Sequence, residues 1–481
     1  MKISSATRLT LKTASLLGIA AVVNLAAAQG AAAKVPPRPT PRPAKVPVFP
    51  KITLDTLTNG IQLAVVENHT LPVVAVRIGL TGGYFLDGPG KEGGWALMTT
   101  LLPEGSTTRN AAAIASATAD YGTGIIWSQG VPFMGGLFFT TVRSAFQPVL
   151  EIAADVLMHP GFPADAFHRV QGLQAAAAAR PPQQTAAIWL LNASLYGSRS
   201  YGSHATESSV RALTLDDIAA LKTTYLRPQN TIVAVAGDIK PAEARRVVER
   251  AFASWEPGGE TIEANIPPPA ARVEPTTIYL RDDPAAPTST IVTGSIVPDR
   301  AVSDAAAIEA VNSVLGGTPG VGRMWQAFRV ERGLSYNPSG SIVWHARPQA
   351  GAWLGMAQVP SAKTDTAVNE WSRVLKETHG DRPLTAEELE FARGNLIGAL
   401  PGQMATDDAV ATSTLMLLQT RLPVTFYRDQ VDRVRALTLD QFRAATTHLD
   451  PDHLVIAVVG DRSKIEAPLR ATGIPVVIVD R

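Results

Sequence analysis

Apolar and polar residues alternate through TLTNGIQLAVVEN (residues 56–68) on both sides of Asn59-Gly60, a dipeptide that accepts positive φ, so the pattern predicts a β-hairpin here. VVAVRIGL (73–80) continues as a strand, and residues 92–102 and 110–121 have helical spacing. IIWSQGV (125–131) and GLFFTTV (136–142) read as strands, 144–158 as an amphipathic helix and the alanine-rich stretch 164–196 as further helices. Farther on, IYLRDD, STIVTGSIV, SYNPSGSIVW and GAWLGMAQV read as strands, and 301–315, 321–332, 362–377, 385–400, 406–420 and 438–448 as helices. Strands arrive in antiparallel groups with helices after them, which favours an α+β fold over a doubly wound sheet.

One heptapeptide occurs twice. VRALTLD stands at Val210–Asp216 and again at Val434–Asp440, each time followed by a helical stretch, a proline and an apolar strand ending in Gly-Asp. An offset of about 224 residues is far too long for a solenoid, so it signals two homologous halves. In each copy the threonine, Thr214 or Thr438, is placed to cap the next helix while the aspartate enters its positive first turn. Between the copies, residues 256–277 are broken by glycines and prolines and read as a hinge linker, leaving one half at 51–255 and the other at 278–481.

The first fifty residues have a different character. Lys2, Arg8 and Lys12 precede an apolar run ending in small residues at Ala28 and Ala33, the layout of a secretory signal peptide over 1–33. Residues 34–50 hold seven prolines and four basic residues, a Pro-rich linker biased to extended polyproline II. Seven of the 43 Lys and Arg residues lie in 1–50 with no acidic residue, leaving 36 against 42, or −6, for the remainder. The folded region has no basic excess to hold nucleic acid, and with no cysteine it forms no disulfide. Export without cysteine is compatible with a periplasmic location.

The order of hairpin, strand and glycine-rich helix with LLPEGSTTR, then YGSHATESSVRALTLDDI and a strand ending AGD, followed by a second half bearing LGG and RVERGLSY, resembles the pitrilysin/insulinase family over nearly all of 51–481. The resemblance implies a clamshell of two αβ halves, antiparallel sheets with packed helices, that encloses peptides. Zinc-binding members carry an inverted His-x-x-Glu-His motif on a helix, where residues i and i+4 share one face, and a further Glu about 75 residues later. In GWALMTTLLPEGST the two histidine positions fall on Leu97 and Leu101 and the Glu position on Thr100, while the distal position falls near Ala177 or Ala178. Hydrocarbon and hydroxyl groups offer Zn²⁺ no imidazole, thiolate or carboxylate, so this chain is expected to hold no zinc or other cofactor. The eight histidines include no pair at i, i+3 or i+4, and His204 and Glu207 read as hydrogen-bonded loop groups.

One family feature is retained. In RVERGLSY, Arg329 and Tyr336 stand seven apart and match a substrate clamp that the resemblance places opposite the zinc, the guanidinium donating to peptide carbonyls and the phenol to a developing oxyanion. The glycines of LGGTPGVGR do not form a phosphate loop, since no Lys-Ser/Thr follows and an apolar helix, not a strand, precedes them. The expected function is a zinc-free, noncatalytic subunit of an exported two-subunit metallopeptidase, working with a homologous partner that carries His-x-x-Glu-His. A purely structural or peptide-binding protein is the alternative, and an independent zinc peptidase a remoter one.

Overall fold

The computed structural model describes residues 46–479 apart from 129–134, 198–199, 263–274 and 348. The signal peptide read at 1–33, residues 34–45 of the linker, most of the 256–277 hinge and the end of the IIWSQGV strand lie outside the described residues.

Two six-stranded sheets are formed. The first contains β1 (Ile52–Thr56), β2 (Gln62–Glu67), β3 (Val73–Leu80), β4 (Ile126–Ser128), β5 (Gly136–Val142) and β6 (Thr231–Gly237) in the order β1-β2-β6-β3-β5-β4. The second contains β7 (Thr277–Asp282), β8 (Thr288–Val297), β9 (Ser339–Val343), β10 (Gly351–Pro360), β11 (Val455–Gly460) and β12 (Val476–Val479) in the order β12-β7-β11-β8-β10-β9. Five positions correspond one to one, so the duplication read from VRALTLD extends to topology. The outermost position does not: it is filled by the first strand in one sheet, antiparallel to β2, and by the last in the other, parallel to β7.

Most pairs are antiparallel, as the sequence suggests, but β2 with β6 and β7 with β11 run parallel, which makes both sheets mixed. The strand that closes each repeat returns after a long helical excursion, the kind of connection that parallel pairing requires. The hairpin at Asn59-Gly60 is present, although positive φ falls only on Gly60 within a longer loop closed by Leu57 N–H donating to the Ile61 carbonyl. Thr214 and Thr438 both cap their helices through complete capping boxes, with Asp217 and Gln441 closing the return bond. Helices at Pro241–Ala251, Phe426–Ala436 and Arg462–Ala471 complete the described pattern.

The strand β6 reads TIVAVAG and is buried at every residue, which requires an apolar partner on both faces of its sheet. Val233 and Val235 join the core of their own half, with Val149, Leu157 and Phe252. Ile232 and Ala234 instead pack with Leu415, and Ala236 with Val410 and Ala411, all from helix Asp407–Gln419 of the second half. The reverse arrangement covers the second sheet, where Val455, Ala457 and Val459 of β11 pack on Ala187, Leu191 and Leu195 of helix Gln183–Tyr196. Leu191 and Leu415 are themselves 224 residues apart, the spacing of the sequence repeat.

Each of these leucines sits over a glycine of the sheet it covers. A Cβ at Gly79 would lie 2.4 Å from Leu415 Cδ1, and one at Gly294 would lie 3.0 Å from Leu191 Cδ2 and 2.7 Å from the Trp353 carbonyl oxygen. Arg77, on the same face as Gly79, is buried and is held by Asp408 and Thr412 of the covering helix and by the Phe138 ring. No helix among the described residues is long and apolar enough to cross a membrane.

Because each half completes the other's core, urea unfolding followed by tryptophan fluorescence is expected to show one transition for both sheets. Leu191→Ala and Leu415→Ala should each lower its midpoint, at a cost of about 2–4 kcal/mol, with no separate early transition. Gly294→Ala, where backbone opposes the new methyl, is expected to destabilise by about 1–3 kcal/mol in the same assay.

Candidate functional site

The helix in which the family motif would lie, Gly94–Leu101, begins after Gly93 in a left-handed conformation and is capped by Asp87, whose carboxylate accepts from Gly93 N–H at 2.8 Å and Trp95 N–H at 2.7 Å. Burial pushes this carboxyl up to about 7, against the opposing pull of those amides. Leu97 and Leu101 are fully buried within the hydrophobic core of the first half. Thr100 is partly exposed; its hydroxyl donates to the Ala96 carbonyl at 2.7 Å and accepts from Gln174 Nε2 at 3.0 Å.

The three positions therefore do not fit a zinc ion: two are alkyl side chains inside a core, and the third is an alcohol engaged by an amide. Gln174, on helix Ala164–Ala179, is the residue that reaches Thr100. Sequence spacing points instead to Ala177 or Ala178, one turn farther along. Among the described residues no group of three His, Asp or Glu side chains is arranged to hold a metal ion.

The histidines are distributed among separate contacts. His448 bonds Asp304 at 3.1 Å and His453 bonds Asp450 at 2.7 Å, so the pair flanking the Asp-Pro turn faces different carboxylates. His204 stacks on Trp189 with its basicity lowered by burial, and Glu207 pairs with Arg211. His345 is buried where the two halves meet: it bonds the Tyr196 hydroxyl at 3.1 Å and stacks on Tyr201 at 4.1 Å, and burial pushes its imidazole down to about 4. This inter-half aromatic cluster is not apparent in the sequence, because His345 lies 149 residues beyond Tyr196 and the three follow no motif.

Arg329 and Tyr336 are adjacent in space. Arg329 lies in the π-helical turn Gln326–Glu331, which ends where Leu334 N–H donates to the Phe328 carbonyl at 2.6 Å and Gly333 adopts φ +60°. That reversal carries Tyr336 back over the turn. The guanidinium carbon of Arg329 stands 3.9 Å from the Tyr336 ring centroid and 4.6 Å from that of Trp325, between two aromatic rings, and one N–H donates to the Tyr336 carbonyl. A guanidinium has five N–H donors, so most of its hydrogen-bonding capacity is not used by that bond. Tyr336 is 79% exposed. No sequence motif marks Trp325, although its position four residues before Arg329 is the spacing at which helical side chains meet.

Arg332 is engaged elsewhere, pairing at 2.7 Å with the buried carboxylate of Glu370, which Arg373 also holds. The glycine-rich segment before this turn serves close packing: a Cβ at Gly316 would lie 2.7 Å from the backbone nitrogen of Gly340 in β9.

Residues 212–396 match the family described as the peptidase M16 inactive domain, a stretch that takes in much of the second half but not helix Gly94–Leu101. The fold is similar to that of a peptidase M16 inactive domain from Pseudomonas fluorescens, with TM-score 0.77 and 22% identity over 85% of this chain and 98% of that one. A protease from Helicobacter pylori gives TM-score 0.74 and 17% identity over 85% and 100%, and an M16-like peptidase from Alicyclobacillus acidocaldarius gives 0.69 and 14% over 86% and 99%. No curated relative matches the sequence. Residues 212–396 are thus similar to the M16 inactive domain, and the three solved structures share this chain's fold.

Neutral burial of His345 makes stability depend on pH. The folded imidazole titrates near 4 and an unfolded one near 6.5, so its contribution is complete above 6.5 and is lost as pH falls towards 4. The loss is expected to reach about 3 kcal/mol, and His345→Gln should show a correspondingly shallower decline in urea midpoint between those pH values.

Proposed function

We propose that this chain is the zinc-free, noncatalytic subunit of an exported two-subunit metallopeptidase. The observation that carries the reading is a motif helix that is packing surface, Leu97 and Leu101 fully buried and Thr100 bonded to Gln174, alongside an Arg329–Tyr336 pair in which the cation is half-buried and the phenol ring exposed. A homologous partner with His-x-x-Glu-His would supply the metal and the residue that activates water. This chain would supply a wall of the peptide chamber, with Arg329 donating to substrate carbonyls and Tyr336 donating to the oxyanion as it develops. The stack of Trp325, Arg329 and Tyr336 restricts the ring and the cation before substrate arrives, which lowers the ordering cost of binding. Export to a periplasm follows from the amino-terminal signal pattern.

The test is reconstitution with the homologous zinc-bearing chain. Alone, this chain should contain no stoichiometric zinc and cleave no peptide. In the pair, Tyr336→Phe should lower kcat by about 10²-fold, the scale of losing one oxyanion donor, while Arg329→Ala should raise KM. Unchanged cleavage in both variants would exclude the clamp, and chelator-sensitive turnover by the isolated chain would exclude the noncatalytic assignment.

A further inference from the structure

A cleft of about 790 Å³ opens in the first half between the turn after β5 and helix Pro241–Ala251. Arg143, Arg246 and Arg250 line it, with Glu243, Val142 and Pro72. Arg143 is compensated, donating to Glu243 at 3.0 Å and to Asp238 at 3.4 Å. Arg245, on the same helix, is compensated by Asp55 and Glu249. Arg246 and Arg250 are exposed and make no ion pair among the described residues. In a region whose net charge is −6, two uncompensated cations beside a third form a local positive patch, and its rim is apolar: Val142 is 49% exposed and Leu71, next to Pro72, 59%.

The spacing of the two free cations suggests what they recognise. Side chains at i and i+4 of a helix are about 6 Å apart, and alternate side chains of an extended peptide, which share one face, are about 6.6 Å apart. A Glu-x-Glu sequence in extended form thus presents two carboxylates at the separation of Arg246 and Arg250. Guanidinium and carboxylate make the strongest of the ordinary charge-assisted bonds, and they do so with planar, paired geometry. We propose that this cleft binds an extended acidic segment of another polypeptide, with carboxylates on alternate residues meeting Arg246 and Arg250 and an apolar residue of the same face lying on Val142 and Pro72. The inference uses neither the Arg329–Tyr336 pair nor a zinc-bearing partner.

The experiment measures anisotropy of a fluorescent Glu-x-Glu-x-Leu peptide with the full chain, against the same peptide carrying Lys for Glu. The acidic peptide should bind and the basic one should not, with affinity falling as salt is raised. Arg246→Ala with Arg250→Ala should weaken binding by about tenfold or more, whereas Arg246→Lys with Arg250→Lys should retain part of it. Both arginines are exposed, and circular dichroism checks that the variants are folded. Equal affinity in the double alanine variant, equal affinity for the two peptides, or capture by anionic lipid vesicles with no peptide binding would each overturn the proposal.

Discussion

Each sheet of this protein has two apolar faces and only enough helix in its own half to cover one of them. The second face is closed by a helix from the other repeat, Gln183–Tyr196 over β11 and Asp407–Gln419 over β6, with Leu191 and Leu415 seated on Gly294 and Gly79. Methyl-scale complementarity at these two contacts sets how closely helix and sheet approach, and the cost of a misfit is that of a packed core. A buried cation is tolerated in the same layer because Arg77 finds Asp408 and Thr412 on the arriving helix. Neither half has a finished interior without the other.

Function is distributed over this shared frame unevenly. The helix Gly94–Leu101 is held as firmly as a catalytic helix would need to be, capped by Asp87 and packed on its neighbours, but its inward positions are aliphatic. Burying two leucine side chains contributes about 3–6 kcal/mol to stability, where polar metal ligands would have to be desolvated. The surface turn bearing Arg329 is built the other way, with a cation held between the half-buried Trp325 ring and the exposed Tyr336 ring and ended by a left-handed glycine.

Legibility in the sequence follows the range of the interaction. VRALTLD reveals both threonine caps because a cap is decided within four residues, although Asp217 and Gln441, which close the boxes, lie just beyond it, and β6 and β11 are recognisable as buried strands from their uninterrupted apolar runs. Parallel pairing of β2 with β6, and of β7 with β11, depends on where a distant strand inserts, which local alternation does not encode. The exchange of covering helices is likewise nonlocal, although the equal offset between Leu191 and Leu415 was present in the sequence. At the degenerate motif, Leu97, Thr100 and Leu101 are identifiable by their spacing, whereas Gln174 is not, since a one-turn difference in helix register decides which side chain reaches Thr100. The pairing of His345 with Tyr196 and Tyr201 leaves no local trace either.

The shared interior has a consequence in time. Between the end of β6 at Gly237 and the start of its cover at Asp407 the ribosome adds about 170 residues, which at ordinary elongation rates takes about 10–30 seconds. For that interval the face formed by Ile232, Ala234 and Ala236 has been synthesised and its lid has not. A nascent chain paused there, or a message truncated there, displays an adhesive sheet that only its own unfinished carboxy-terminal portion is shaped to quench.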